Sequence, residues 1–125
     1  MLSETITYDE AIIIVKALKE SNGQKLLCIV VVAENCPFCE DMMENVMVKV
    51  EEGYKKDVDF YKLNITNEKS DNCIFPILET PSFLFYLKGG APFPVLRNGA
   101  GPLNEVMNGI GNIVNVNKKI NGANT

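Results

Sequence analysis

Apolar residues fall along this chain in three rhythms, and each predicts a kind of element. Leu26–Ala33 (LLCIVVVA) is a continuous apolar run rich in β-branched side chains, the pattern of a strand buried on both faces. Val58–Ile65 (VDFYKLNI) alternates and predicts a second strand. Ser82–Leu87 (SFLFYL) predicts an aromatic-rich strand ended by Lys88-Gly89-Gly90. Pro92–Leu96 predicts its neighbour, placed at an edge because proline cannot donate to a ladder. The remaining segments carry helical spacing. Tyr8, Ala11, Ile12, Val15 and Leu18 share one face, opened by the capping box Thr7-Tyr8-Asp9-Glu10 and stopped by Ser21-Asn22-Gly23. Met42, Met43, Val46, Met47 and Val50 make a second such face, with Glu40, Asp41, Glu44 and Lys49 mostly on the other sides and Gly53 at the end. A third joins Leu103, Val106, Met107, Ile110 and Val114 behind Gly101-Pro102, weakened by Gly109 and Gly111. Asn67–Cys73 is polar, with room for a short helix. Asn117–Thr125 is rich in Asn, Gly and Lys and is predicted to fray. This order predicts one α/β domain over residues 1–125, a small mixed sheet covered by helices.

The chemistry sits where the first buried strand gives way to the second helix, at Cys36-Pro37-Phe38-Cys39. Two cysteines three apart at a helix start face the same way, close enough to bridge. Cys36 meets the free N–H groups and positive end of that helix, which favour a thiolate. Reversible thiol–disulfide exchange follows, with Cys36 as nucleophile and Cys39 resolving the mixed disulfide. Pro37 suits the first helical turn, where its missing N–H needs no partner. Phe38 sets an apolar side chain beside the sulfurs, where it contacts substrate or covers the rim.

Composition removes most alternatives. With no histidine, Cys–His nucleophilic catalysis, Cys₂His₂ zinc and haem ligation by His are excluded. Four cysteines without a second CxxC do not supply a zinc site, and Cys28 in mid-strand reads as a small core residue. A net charge of −4 without a Lys/Arg cluster argues against nucleic-acid binding. No apolar run approaches the length of a membrane span. The start, MLSETITYDEA, lacks the basic and apolar regions of a signal peptide, so the expectation is a cytoplasmic monomer away from membranes.

The element order, with CPFC after the first long strand and Thr80-Pro81 before the aromatic strand, resembles the thioredoxin superfamily from about Thr7 to about Lys119. Ala33-Glu34-Asn35-Cys36, Lys62-Leu63-Asn64-Ile65 and Lys88-Gly89-Gly90 resemble stretches of thioredoxin itself. The resemblance implies a thioredoxin fold, a central mixed sheet flanked by helices on both faces. It also implies that Pro81 is cis beside the disulfide and that the backbone of Thr80 pairs with the bound substrate strand. Two departures stand out: Asn35 takes the place of thioredoxin's tryptophan, and Val30 that of its buried aspartate. Proton transfer from Cys39 then falls to water, Glu34, Lys62 or the substrate, with Glu34 and Lys62 either a tuning pair or ordinary surface charges. Pro37-Phe38 is closer to the glutaredoxin Pro-Tyr or the Pro-His of bacterial disulfide oxidases than to Gly-Pro. Cys73, eight residues before Pro81, reads as an inert thiol or as a third redox thiol.

The implied function is a thiol–disulfide oxidoreductase acting on protein disulfides or dithiols, first as a thioredoxin-like reductase. It needs no bound organic cofactor and is recharged by a flavin-dependent reductase or by glutathione. The alternatives are an accessory protein forming disulfides in a specific secreted peptide or partner, and a binding module whose CxxC no longer turns over. An iron–sulfur cluster shared between two chains through Cys36, as in some glutaredoxins, is a further, lesser alternative.

Overall fold

The computed structural model describes residues 5–20, 25–67, 80–87, 95–98 and 103–123. A capping box opens α1 (Tyr8–Glu20): the Thr7 N–H donates to Glu10 Oε1 and the Glu10 N–H to Thr7 Oγ1, both at 3.1 Å. Ile6 before the cap and Ala11 one turn in are buried in the same cluster, fixing the angle at which the chain enters the helix.

Five strands form one sheet in the order β1-β3-β2-β4-β5. They are β1 (Thr5–Ile6), β2 (Leu26–Val32), β3 (Val58–Asn64), β4 (Ser82–Tyr86) and β5 (Val95–Asn98). β3 runs parallel to both β1 and β2, whereas β4 is antiparallel to β2 and β5 to β4. β2 is central and buried at every position, which is why its sequence reads as an unbroken apolar run rather than an alternation.

The pleat of β2 separates two apolar layers. Leu27, Ile29 and Val31 pack with Leu63, Leu84 and Tyr86 under α1. Leu26, Cys28, Val30 and Val32 face the opposite way, with Phe83 and Phe85, toward the Cys-bearing helix and α4 (Leu103–Ala123). Helices therefore cover both faces of a mixed sheet: this is the thioredoxin fold. The Phe83 and Phe85 rings stack with centroids 6.0 Å apart. Each fully buried side chain of this kind contributes about 1.5–3 kcal/mol, so the end of β2 that carries the cysteines rests on a rigid floor.

Several boundaries differ from the expectation. Two-residue β1 was not predicted, being too short to show a rhythm. The edge strand begins at Val95, past both prolines of the predicted Pro92–Leu96, in keeping with the N–H that proline lacks. The Cys-bearing helix does not stop at Gly53. It runs as α2 (Pro37–Asp41), a π-helical turn (Met42–Met47) and α3 (Val48–Tyr54). α4 continues to Ala123, so the fraying predicted from Asn117 onward does not begin there. Composition misled because Asn117 is buried and Lys118 Nζ reaches Asp57 Oδ1 at 3.7 Å, which ties down a helical turn of weak intrinsic propensity.

The polar stretch after β3 makes a 3-10 turn (Ile65–Asn67), and the rest of the predicted Asn67–Cys73 helix lies outside the described residues. Ser21-Asn22-Gly23, Lys88-Gly89-Gly90 and Gly101-Pro102 also lie outside them.

Candidate active site

β2 ends at Val32, and the chain must reverse within four residues to enter α2. Asn35 does this with φ 56°, left-handed backbone that asparagine tolerates better than most side chains. Cys36 then caps the helix with extended backbone (φ −114°, ψ 96°), and Pro37 occupies the first turn. The Cys39 N–H donates to Cys36 Sγ at 3.2 Å, and the Glu40 N–H to the Cys36 carbonyl at 3.1 Å. Cys36 and Cys39 are joined as a disulfide, with Cα atoms 5.2 Å apart.

The two sulfurs differ in environment. Cys36 is half-buried, whereas Cys39 is 2% exposed and packs into the core against the sheet. From the other side comes the cis Thr80–Pro81 peptide, with Pro81 buried. The Thr80 hydroxyl donates to Cys36 Sγ at 3.7 Å, and the Thr80 carbonyl oxygen lies 3.8 Å from the same sulfur. Donors therefore converge on Cys36: once the bond is reduced, the Cys39 N–H and the Thr80 hydroxyl both favour a thiolate there. Phe38, 70% exposed, stands beside the pair as an apolar surface.

A recess of about 280 Å³ opens behind Cys39, lined by Val32, Glu34, Glu40, Met43, Glu44 and Lys62 among others. Lys62 is the β3 register partner of Val30 and comes up beside it. Glu34 and Lys62 thus share the recess, but among the described residues no ion pair joins them. The Glu34 backbone N–H is instead held by Thr66 Oγ1 at 2.8 Å. Val30 is fully buried on the Cys39 face of the sheet, so apolar packing stands beneath the pair at that position.

The structure thus brings together Cys36, Pro37, Phe38, Cys39, Thr80 and Pro81, with Glu34 and Lys62 behind them. Cys73 lies outside the described residues. Cys28 is fully buried in β2, and burial pushes its thiol far above the ordinary range. Among the described residues, no group of acidic, Cys or His side chains could hold a metal ion. Sequence reasoning missed two participants. Asn35 carried a usable signal, since an Asn between a strand end and a helix cap is a natural left-handed residue. Glu44 carried none, because the recess it lines exists only once β3 brings Lys62 and Asn64 beside the Cys-bearing helix.

A profile of the family described as Thioredoxin matches residues 13–110. No curated protein matches the chain. Solved structures do. A chloroplastic thioredoxin z superimposes with a TM-score of 0.72 at 15% identity, over 95% of this chain and 96% of that one. Thioredoxin NaTrxh from Nicotiana alata gives 0.67 at 26% identity, over 88% and 92%. The germline-specific thioredoxin Deadhead of Drosophila melanogaster gives 0.65 at 16% identity, over 89% and 98%.

Proposed function

Because the chain belongs to the thioredoxin family, we propose that its Cys36–Cys39 pair works as a thiol–disulfide oxidoreductase that reduces disulfides in other proteins. The observation that carries this reading is the asymmetry of the pair. Cys36 is accessible and receives the Cys39 N–H and the Thr80 hydroxyl, whereas Cys39 is buried.

In the dithiol form the Cys36 thiolate attacks one sulfur of the substrate disulfide, and the other substrate sulfur leaves as a thiolate. Cys39 then loses its proton and attacks Cys36 Sγ, which breaks the mixed disulfide and releases the second substrate thiolate. Two electrons pass from the pair to the substrate, each substrate thiolate takes up a proton, and the Cys36–Cys39 disulfide remains. Thr80 presents its backbone to the incoming polypeptide beside Cys36, and Phe38 offers an apolar contact. The pair itself is the redox group, so the reaction needs no bound organic cofactor. A flavin-dependent reductase or glutathione restores the dithiol. We assign the activity to a cytoplasmic monomer on the same reading.

Replacing Cys39 by Ser tests it. The variant should lose insulin reduction and accumulate mixed disulfides on Cys36, seen as adducts that a reductant removes. A Cys39→Ser protein that binds the same partners as the wild type, without covalent adducts, would contradict turnover and leave a binding module. A second reading, net disulfide formation in a specific partner, is favoured by Val30, since no buried carboxylate at that position takes the Cys39 proton for its attack on the mixed disulfide.

A further inference from the structure

Charge is matched differently at the two ends of the sheet. Toward the amino ends of β2 and β3, lysines meet carboxylates: Lys25 pairs with Asp59 at 3.4 Å, Lys55 with Glu52 at 3.1 Å and Lys118 with Asp57 at 3.7 Å. The carboxyl end of β2, which leads into the cysteines, lacks this matching. Glu34, Glu40, Asp41 and Glu44 are all exposed on that side, and among the described residues none of them joins an ion pair. Three of them, Glu34, Glu40 and Glu44, line the recess behind Cys39, where Lys62 is the one ammonium among the lining residues. The fourth, Asp41, stands three residues after Phe38, on the same flank of α2. A surface phenylalanine by itself needs no explanation. Phe38, however, is 70% exposed and separates the two cysteines, so a polypeptide that reaches Cys36 meets its ring.

Carboxylates that the fold leaves unmatched attract cationic side chains and repel acidic ones. An exposed aromatic face adds to this for arginine, whose flat guanidinium stacks on a ring and pairs with a carboxylate together. Resting on the reading of Cys36–Cys39 as a cycling pair, we propose that its substrates are disulfides set in basic polypeptide segments. An arginine beside the attacked cysteine lies on Phe38 next to Asp41, and further cationic residues face Glu34, Glu40 and Glu44. The exchange is the one already described: two electrons pass from the pair to the substrate, and each substrate sulfur takes up a proton. Negative charge builds on those sulfurs as they leave. The carboxylates oppose that charge, and an arginine carried by the substrate offsets it. Selection therefore acts both on docking and on the bond that breaks.

The test sets the reduced protein, in a Cys73→Ser background, against peptide disulfides that differ only in the residues flanking cysteine: Arg, Lys, Ser or Glu. Thiols released in a single turnover are read by mass. Each rate is divided by that of dithiothreitol, an uncharged reductant, on the same peptide. The Arg peptide should exceed the Glu peptide about tenfold or more at low salt, the low end of electrostatic steering. That ratio should fall toward one in about 1 M salt, where charges are screened within about 3 Å. Glu34→Gln, Glu40→Gln, Asp41→Asn and Glu44→Gln combined should lower it at low salt as well. Phe38→Ala should remove an Arg-over-Lys preference of about two- to fivefold. Equal normalised rates for the Arg and Glu peptides would overturn the proposal, as would a preference that the four substitutions leave unchanged. Insulin reduction is scored alongside. Charge selection without insulin reduction leaves the partner chemistry standing and removes the reductase reading; insulin reduction without charge selection does the reverse. A protein that exchanges with none of the peptides removes both.

Discussion

At the scale of single residues, β2 and the start of α2 carry three cysteines of different chemistry within twelve positions. Cys36 is half-buried, faces the Cys39 N–H and Thr80, and is set up to ionise. Cys39 is buried and lines the recess. Cys28 is fully closed off inside β2, and burial drives its thiol far up. That last shift makes a pH prediction. In the unfolded chain a thiol ionises near its ordinary value of about 8.5, while the folded Cys28 keeps its proton. Above that pH the unfolded state has lost a proton that the folded state retains. Stability is therefore full below about pH 8.5 and falls as pH rises, by up to about 1.4 kcal/mol per pH unit. Denaturant midpoints of the oxidised protein at about pH 8 and about pH 10, in a Cys73→Ser background, should show this loss, and Cys28→Val should remove most of it. An equal loss in both proteins would place its cause elsewhere. Tyr86, pushed up to about 12 by burial, adds a similar loss only above its ordinary range near 10, outside that window.

Among the elements, what was legible in the sequence depended on length and burial. β2 declared itself through its unbroken apolar run, and α1 through the Thr7–Glu10 capping box, because each is specified by its own residues. The CPFC motif was readable for the same reason, falling between a plain strand and a plain helical face. β1, the π turn and the last turns of α4 were not readable. β1 exists only through its pairing with Lys62 and Leu63, and α4 is extended by contacts made at Asn117 and Lys118. Gly111 shows the same limit. In sequence it is a helix weakener. In the structure the Tyr54 hydroxyl donates to the Met107 carbonyl at 3.0 Å across that spot, and a Cβ on Gly111 would lie 2.7 Å from the Tyr54 hydroxyl oxygen. Gly111→Ala gains up to about 1 kcal/mol of helix propensity. It loses a hydrogen bond worth about 1 kcal/mol and forces the Tyr54 ring away from α4. Thermal and denaturant unfolding should show a net loss in Gly111→Ala. A more stable variant would mean that the α3–α4 crossing is looser than described.

On the scale of the whole molecule, the sheet order places every part of the site at one end. β2 delivers Asn35 and the cysteines, β3 delivers Lys62, and the start of β4 brings the Thr80–Pro81 peptide to Cys36. Reactive groups at the carboxyl end of a central parallel strand follow the general rule for open α/β sheets. The family and fold were readable from residues because this arrangement needs only a few elements in the right order. The direction of electron flow was not, since potentials on this fold span roughly −270 to −120 mV with the same cysteine spacing. Pro37-Phe38 and Val30 bear on that direction, and their effect is a property of the folded pair as a whole.

The most direct measurement is therefore the equilibrium of Cys36–Cys39 with glutathione buffers of graded poise, with the thiols read by mass after alkylation. One reversible two-electron transition at this pair is expected, with Cys28 unmodified in the folded protein. A midpoint toward the reducing end of the family range, about −270 to −230 mV, fits the proposed reductase. A midpoint near the oxidising end would turn the reaction toward disulfide formation. A pair that forms no disulfide at any poise would rule out redox cycling at Cys36–Cys39.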